Sequence, residues 1–201
     1  MAISAADVKA LRDRTGAGMM DCKEALAESD GDLERAVEIL RIKGQASAAK
    51  RAGRGTDEGV VSAYIHANDQ VGAMVEVQCE TDFVARNEDF KAFAYEVALH
   101  VAATGALYVS SDEIPEEMRE AEQRVLEEAA REGGKPDEVV AKVVDGQLAK
   151  WEQSVTLLEQ EHVNVDKHGS KTIEEMRQAL VDQTGENIRI ARFAYFRVGE
   201  E

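Results

Sequence analysis

Residues 71–87, VGAMVEVQCETDFVARN, contain the point where one structural pattern stops and another begins. In the first nine of these residues an apolar side chain occupies every second position, which predicts a β-strand with one buried face. Beyond residue 87, apolar side chains recur at helical spacing, at Phe90, Phe93, Ala94, Val97, Ala98 and Val101. The stretch therefore predicts a strand, a turn and a long helix, around which the rest of the fold is arranged.

The turn itself places an acid, Asp82, beside a bulky aromatic residue, Phe83. Turns held between rigid elements often carry functional side chains. A plainer interpretation is that Phe83 folds back into the core while Asp82 caps the following helix. Spacing alone favours the plainer interpretation.

Two further strands are predicted on either side of this unit. Residues 60–66 precede a turn rich in Asn and Asp at 68–70, which is typical of a β-hairpin with the strand at 71–79. Residues 188–198 alternate like a third strand, and large side chains lie on both of its faces, among them Phe193, Tyr195, Phe196 and Val198. We therefore expect a small antiparallel sheet that is at least partly covered on each face.

The first 43 residues predict a module of three short helices. Ser4 and Asp7 have the spacing of a capping box at the start of the first helix, which runs to about Arg14 before two glycines interrupt it. The second helix covers residues 19–28. The third has an apolar stripe at Leu33, Ala36, Val37 and Leu40.

Residues 44–56 combine small residues, glycines and cations, and we interpret them as a linker whose alanine-rich part could be helical. Residues 57–201 then form the core domain. Within it, residues 116–159 predict a helical hairpin, because glycines followed by Pro136 separate two charged helical segments. A last helix is expected at 172–184. The fold class is therefore α+β, with a small antiparallel sheet packed with helices.

The net charge of −16 is unevenly distributed. Residues 1–56 carry ten basic and nine acidic side chains, whereas residues 57–201 carry 14 basic and 31 acidic ones. An acidic body disfavours direct binding of nucleic acid or of an anionic membrane. No stretch approaches the roughly 20 apolar residues that span a bilayer, and the N-terminus lacks the pattern of a signal peptide. We expect a cytoplasmic protein.

The sequence contains no arrangement typical of a catalytic or metal site. Cys22 and Cys79 lie far apart and are expected to be reduced and buried. The four histidines fit no compact ligand spacing, so neither a metal nor a cofactor is predicted. No nucleophile elbow, phosphate-binding loop or dinucleotide fingerprint occurs.

Four segments resemble the translation elongation factor Ts family. Residues 80–87, ETDFVARN, match its Thr-Asp-Phe-Val motif, and residues 11–26, LRDRTGAGMMDCKEAL, are similar to its N-terminal motif. Residues 31–36 and 192–200 are further similarities. The resemblance implies a nucleotide exchange factor that binds elongation factor Tu in its GDP-bound and nucleotide-free states and performs no covalent chemistry.

The resemblance also implies roles for particular residues. Thr81, Asp82, Phe83 and Val84 would disturb the magnesium and phosphate site of the partner. The N-terminal module would be similar to a ubiquitin-associated domain and would dock on the partner's nucleotide-binding domain. Its contact candidates are Lys9, Arg12, Met19 and Met20, although one of the two methionines is expected in the core.

The chain contains a single hairpin and no second copy of the 71–87 pattern, so it resembles the short form of the family. A single-copy sheet with large residues on both faces of its last strand predicts a homodimer, at least in the complex with the partner. The alternative is a monomer in which the helical hairpin at 116–159 and the last helix cover both faces. A different class of function stays open: an adaptor that binds ubiquitin-like or peptide partners through its N-terminal module. The turn containing Asp82 and Phe83 discriminates the two, because an adaptor does not require it.

Overall fold

The computed structural model describes residues 3–51, 53–133 and 136–200. In this part of the chain the elements follow in the order α1 (Ala5–Thr15), α2 (Met19–Glu28), α3 (Leu33–Arg51), β1 (Glu58–Ile65), β2 (Val71–Cys79), α4 (Asp82–Ala85), α5 (Glu88–Thr104), α6 (Glu116–Glu132), α7 (Asp137–Val155), α8 (Val165–His168), α9 (Ile173–Thr184) and β3 (Arg189–Arg197). The predicted α+β class is confirmed. The sequence pattern does not predict α4 or α8, because four residues are too few to show a helical period.

Helices α1, α2 and α3 form the N-terminal bundle. Ser4 caps α1 through a reciprocal capping box with Asp7, and Gly16 ends the helix with a left-handed φ of 72°. The buried residues of the bundle form a core separate from that of the sheet: Val8, Leu11, Cys22, Ala25, Leu26, Ala36, Ile39 and Leu40. The likeness of this bundle to a ubiquitin-associated domain stays a prediction.

Helix α3 continues to Arg51, so residues 44–51 of the predicted linker are helical. The reason is tertiary packing against α9, which a sequence period does not reveal. Arg41 forms an ion pair with Glu175 at 2.8 Å, and the side-chain amide of Gln178 donates to the Gly44 carbonyl oxygen at 3.2 Å. A Cβ at Gly44 would lie 2.7 Å from a carboxylate oxygen of Asp182, so glycine permits this close approach.

The three strands form one antiparallel sheet in the order β1-β2-β3. Ser62 pairs with Val75, and Val75 pairs with Phe193, which sets the inner face of the sheet against the helices. The core at this face is formed mainly by β2 and α5, with Val75, Val77 and Phe90 among its fully buried residues. Cys79 belongs to this core, and both Cys22 and Cys79 are free and buried, as predicted.

Helices α6 and α7 form the predicted hairpin. They pack through a small cluster of Ala130, Val140 and Val144, and Arg119 joins Glu152 across the pair at 2.7 Å. Residues 134 and 135 of the predicted turn lie outside the described residues. The second helix ends at Val155 rather than near residue 159, because Thr156 forms an isolated parallel bridge with Tyr108.

None of the helices in the described ranges is long and apolar enough to cross a membrane.

Candidate partner-binding site

The turn between β2 and α5 is a single helical turn, α4, anchored at both ends. Thr81 is its N-cap, and the Thr81 hydroxyl accepts a hydrogen bond from the Val84 N–H at 3.4 Å. Ala85 is buried, and Val84 packs against the core of the sheet domain. After the turn, Asn87 caps α5, and its side chain accepts a hydrogen bond from the Asp89 N–H.

Phe83 lies on the outer side of this turn and is 81% exposed. The interpretation that Phe83 folds into the core is therefore wrong. Successive residues of a helical turn point about 100° apart. The turn that packs Val84 and Ala85 towards the core therefore directs Phe83 outwards. Asp82 does not cap α5 either; it is the first residue of α4 and pairs with Arg86 at 3.0 Å.

A carboxylate from the far end of the chain holds the base of the turn. Glu186 accepts from the backbone N–H groups of Glu80 and Thr81, at 3.0 and 3.1 Å, and from the Thr81 hydroxyl at 2.6 Å. In the opposite direction, Glu80 accepts from the backbone N–H of Asn187 at 2.6 Å. The sequence gives no indication of this reciprocal pair, because its members are about 106 residues apart.

The Cys79 thiol supports the same turn from the core side. It donates to the Thr81 carbonyl oxygen at 3.2 Å. Burial, together with the negative charge of Glu186, raises the pKa of Cys79 to about 11. Cys79 therefore stays a neutral hydrogen-bond donor at physiological pH and is not a reactive thiolate.

The four N-terminal candidates are all exposed, with Lys9 and Arg12 on α1 and the methionines at the start of α2. Met19 is 57% and Met20 64% exposed, so the expectation that one of them is a core residue is wrong. The first buried residue of α2 is Cys22, and the bundle core does not extend to the first turn of the helix. The two methionines form an exposed, flexible apolar pair of the kind found at binding surfaces.

The structure brings Thr81, Asp82, Phe83 and Val84 together in one turn, whereas the N-terminal candidates belong to a different module. A connection between the two modules runs past the turn: Arg54 forms an ion pair with Glu80 at 3.4 Å. In addition, the side-chain amide of Asn187 donates to the Arg54 carbonyl oxygen at 3.1 Å. Arg54 is therefore fixed beside the base of the turn.

A model of the family described as Elongation factor TS matches residues 8–168. Relatives named Elongation factor Ts align along the whole chain. The protein of Geobacter sp. strain M21 is 48% identical, with 91% of its own length covered. Those of Solidesulfovibrio magneticus and Fervidobacterium nodosum are 49% and 46% identical, with 98% and 100% of their lengths covered.

The chain belongs to the elongation factor Ts family. Membership gives it a role in translation elongation and implies elongation factor Tu as its partner. The matched region contains both the turn at Thr81–Val84 and the N-terminal candidates. Relatives of nearly the same length agree with the expected short form of the family.

The outer face of the sheet is a second exposed apolar surface of this family member. Phe193 and Tyr195 pack against the core, whereas Phe196 is 67% exposed. Phe196 pairs with Gly72, which in turn pairs with Ile65, so these positions lie in one row across the three strands. We define the outer-face patch by its exposed members: Val61, Ile65, Met74, Phe196 and Val198.

Three titratable side chains form a cluster that sequence spacing does not predict. Glu96 on α5 faces His162 and His168, and their potential metal-ligating atoms lie within 4.8 Å of one another. The Nδ1 atom of His162 accepts the backbone N–H of Asn164, which leaves the proton on Nε2, the atom that a metal would need. The second carboxylate oxygen of Glu96 is paired with Lys167.

The cluster is therefore a charge network that fixes the segment around α8 to α5. Burial alone would raise the pKa of Glu96, but hydrogen bonds from Lys167 and His168 lower it below its ordinary value. Next to it His100 is fully buried, and burial lowers its pKa to about 4. The Nδ1 atom of His100 accepts the backbone N–H of Val163 at 3.2 Å.

Proposed function

We propose that this protein is a guanine nucleotide exchange factor that promotes release of GDP from elongation factor Tu. The observation that carries the proposal is the exposure of Phe83 on a turn whose backbone is fixed from several sides. An exposed aromatic side chain of this size, held rigidly and next to a carboxylate, is suited to enter a cleft of a partner protein.

The mechanism rests on differential affinity. An exchange factor accelerates release by binding the nucleotide-free partner more tightly than the GDP-bound one. GDP in a translation GTPase is held largely through its phosphates and a bound magnesium ion. Phe83 would occupy an apolar cleft, and Asp82 would place negative charge where the magnesium ligands are organised. No covalent step is required, so the protein is not an enzyme in the bond-making sense.

Docking would involve the N-terminal module as well. Lys9, Arg12, Met19 and Met20 present charge and apolar surface on α1 and α2. Two separated contact regions suit a factor that must stay bound while the nucleotide leaves, because linked contacts raise the effective affinity. Exchange during translation places the protein in the cytoplasm.

Release of labelled GDP from purified elongation factor Tu tests the proposal. With excess Mg²⁺, we expect substoichiometric amounts of this protein to accelerate release many-fold. After chelation of Mg²⁺ the same addition should give a smaller relative acceleration, because the magnesium site that the turn disturbs is already empty. Release that is unaffected in excess Mg²⁺ would contradict the proposal.

We further propose that the protein is a homodimer that pairs through the outer-face patch. The row through Ile65, Gly72 and Phe196 crosses the three strands without a charged residue. Twofold association is the most common way to bury an exposed apolar surface. Light scattering should give the mass of a dimer, and Phe196→Asp should give that of a monomer. A monomeric wild-type protein at micromolar concentration would exclude this pairing.

The exposed methionine pair favours a second candidate, an adaptor that binds ubiquitin-like or peptide partners through the N-terminal module. An adaptor of this kind leaves the exposure of Phe83 without a purpose. Substitution of Phe83 therefore separates the two functions: it should impair exchange while leaving binding by the N-terminal module intact.

A further inference from the structure

We propose that Glu186 is a positioning residue that holds the Asp82–Phe83 turn rigid against the partner. This role rests on the proposed function, because it acts on the same turn. Glu186 itself is half-buried in the segment between α9 and β3, behind the turn, whereas Phe83 faces outwards. Glu186 would therefore act through Thr81 rather than by contact with nucleotide.

The turn does not stabilise itself. Helix α4 contains four residues, and a single helical turn has too few internal hydrogen bonds to persist alone. Strand β2 ends at Cys79, so the N–H groups of Glu80 and Thr81 lie beyond the strand ladder. Such groups need acceptors from elsewhere in the protein.

Glu186 supplies these acceptors. One carboxylate oxygen receives both backbone N–H groups, at 3.0 and 3.1 Å, and the other receives the Thr81 hydroxyl at 2.6 Å. Hydrogen bonds to an ionised acceptor are stronger than those between neutral groups. Thr81 is at the same time the N-cap of α4, so fixing Thr81 fixes the direction from which Phe83 projects.

A hydrogen bond in the opposite direction strengthens this connection. Glu80 accepts from the Asn187 N–H at 2.6 Å, so neighbouring residues of the two segments hold each other in both directions. Gly185 has a left-handed φ of 76° and ends α9. Glu186 is therefore the first residue after the helix cap. The turn is thus braced against the end of α9 and the start of β3.

The test compares Glu186→Ala with Glu186→Gln in stimulated GDP release from elongation factor Tu. We expect Glu186→Ala to lower the maximal rate at saturation by about tenfold or more, as expected for a misplaced contact group. The concentration for half-maximal stimulation should change much less, because the docking surfaces are intact. Glu186→Gln retains one oxygen for the two N–H groups and an amide that can donate to the Thr81 hydroxyl, so it should restore most of the rate.

Glu113→Ala is the matched control, because Glu113 also accepts a backbone N–H, that of Val109 at 2.9 Å, away from the turn. Rates are corrected for the folded fraction from thermal melts. Glu113→Ala should leave the corrected maximal rate unchanged. Amide exchange followed by NMR should show faster exchange of the Glu80 and Thr81 N–H groups in Glu186→Ala.

The double variant Phe83→Ala/Glu186→Ala separates this role from the proposed function. If Glu186 acts through Phe83, the double variant should be no slower than Phe83→Ala alone. A wild-type corrected rate in Glu186→Ala, with Phe83→Ala slow, overturns the positioning role alone. A wild-type rate in Phe83→Ala overturns the proposed function, and this role with it.

Discussion

Two carboxylates each tie together distant parts of this chain, with opposite results. Glu186 holds the turn at Glu80 and Thr81 and leaves Phe83 exposed beside it. Glu96 holds the segment around α8 through Lys167 and His168, and its own side chain is almost completely enclosed. One arrangement fixes a backbone so that an apolar side chain faces solvent, whereas the other encloses charge so that two segments stay together.

The difference shows how to separate a functional arrangement from a stabilising one when both consist of similar hydrogen bonds. A group that only stabilises the fold has no reason to keep an apolar side chain in water. Exposure of Phe83 reduces the hydrophobic contribution to stability that its burial would provide. We therefore propose that the bonds around Thr81 maintain a conformation whose benefit lies outside the folded chain, and the following predictions test this distinction.

The largest effect on stability is expected for Glu96→Ala. Removing one partner from a buried charge network leaves the others unpaired, at a cost of about 3 kcal/mol here, the lower end of the usual range, because Lys167 can return to solvent. Denaturant unfolding gives the value. Stimulated GDP release per folded molecule should stay unchanged.

Glu88→Ala is the control on the same helix, because Glu88 is exposed and forms its ion pair with the nearby, half-exposed Lys91. It should change stability by less than about 0.5 kcal/mol. A slower corrected rate of GDP release in Glu96→Ala would show that the cluster around Glu96 does more than stabilise the fold. The distinction between Glu96 and Glu186 would then not hold.

A smaller effect is expected from acidification. Burial lowers the pKa of His100 to about 4 in the folded state, whereas the unfolded chain has a value near 6.5. The unfolded state therefore binds more protons between these values, and stability should fall as the pH is lowered. Between pH 6.5 and 4.5 the loss from this group is about 2.2 kcal/mol.

The pH dependence is measured by denaturant unfolding at each pH. His162 and Glu96 add to it in the same direction, since burial lowers the pKa of His162 and the pKa of Glu96 is also lowered. His100→Asn should therefore reduce the slope without abolishing it. An unaltered slope in His100→Asn would refute the conclusion that His100 contributes to the pH dependence of stability.

Substitution of the methionine pair should change a free energy by less than Glu96→Ala or acidification does. Met19→Ala/Met20→Ala removes exposed side chains, so stability should change by less than about 0.5 kcal/mol. Affinity for elongation factor Tu, measured by calorimetry, should fall about tenfold, which corresponds to about 1.4 kcal/mol. Met118→Ala, an exposed methionine on α6, is the control. Full affinity in the double variant would confine the partner surface to the turn.

The elements that are long enough to show a repeating apolar pattern were predictable from the sequence. The alternation of 71–79 and the helical spacing from Phe90 gave the strand and α5, and the capping box at Ser4 gave the start of α1. The outward direction of Phe83 was not predictable, because spacing does not tell which side of a one-turn helix faces the core. The turn itself could still be located, because residues 80–87 resemble a motif of a known family.

Long-range polar contacts account for what the sequence did not reveal. Glu186 and Glu80 are polar residues in ordinary turn positions. Only the folded chain shows that Glu186 accepts from the backbone N–H of Glu80, and that Glu80 accepts from the backbone N–H of Asn187. The histidine cluster has the same origin, since Glu96 lies more than 60 residues from His162. The extension of α3 likewise depends on its contacts with α9.

The central claim is that Phe83 acts on the partner and not on the fold, and Phe83→Ala tests it most directly. The maximal rate of stimulated GDP release and the free energy of unfolding are measured on the same preparation, with the exposed Leu107→Ala as control. We predict a rate at least about 30-fold lower, corresponding to a contact worth about 2 kcal/mol or more, and unfolding within about 0.5 kcal/mol of wild type. A stability loss of about 3–5 kcal/mol with an unchanged rate per folded molecule would contradict the account.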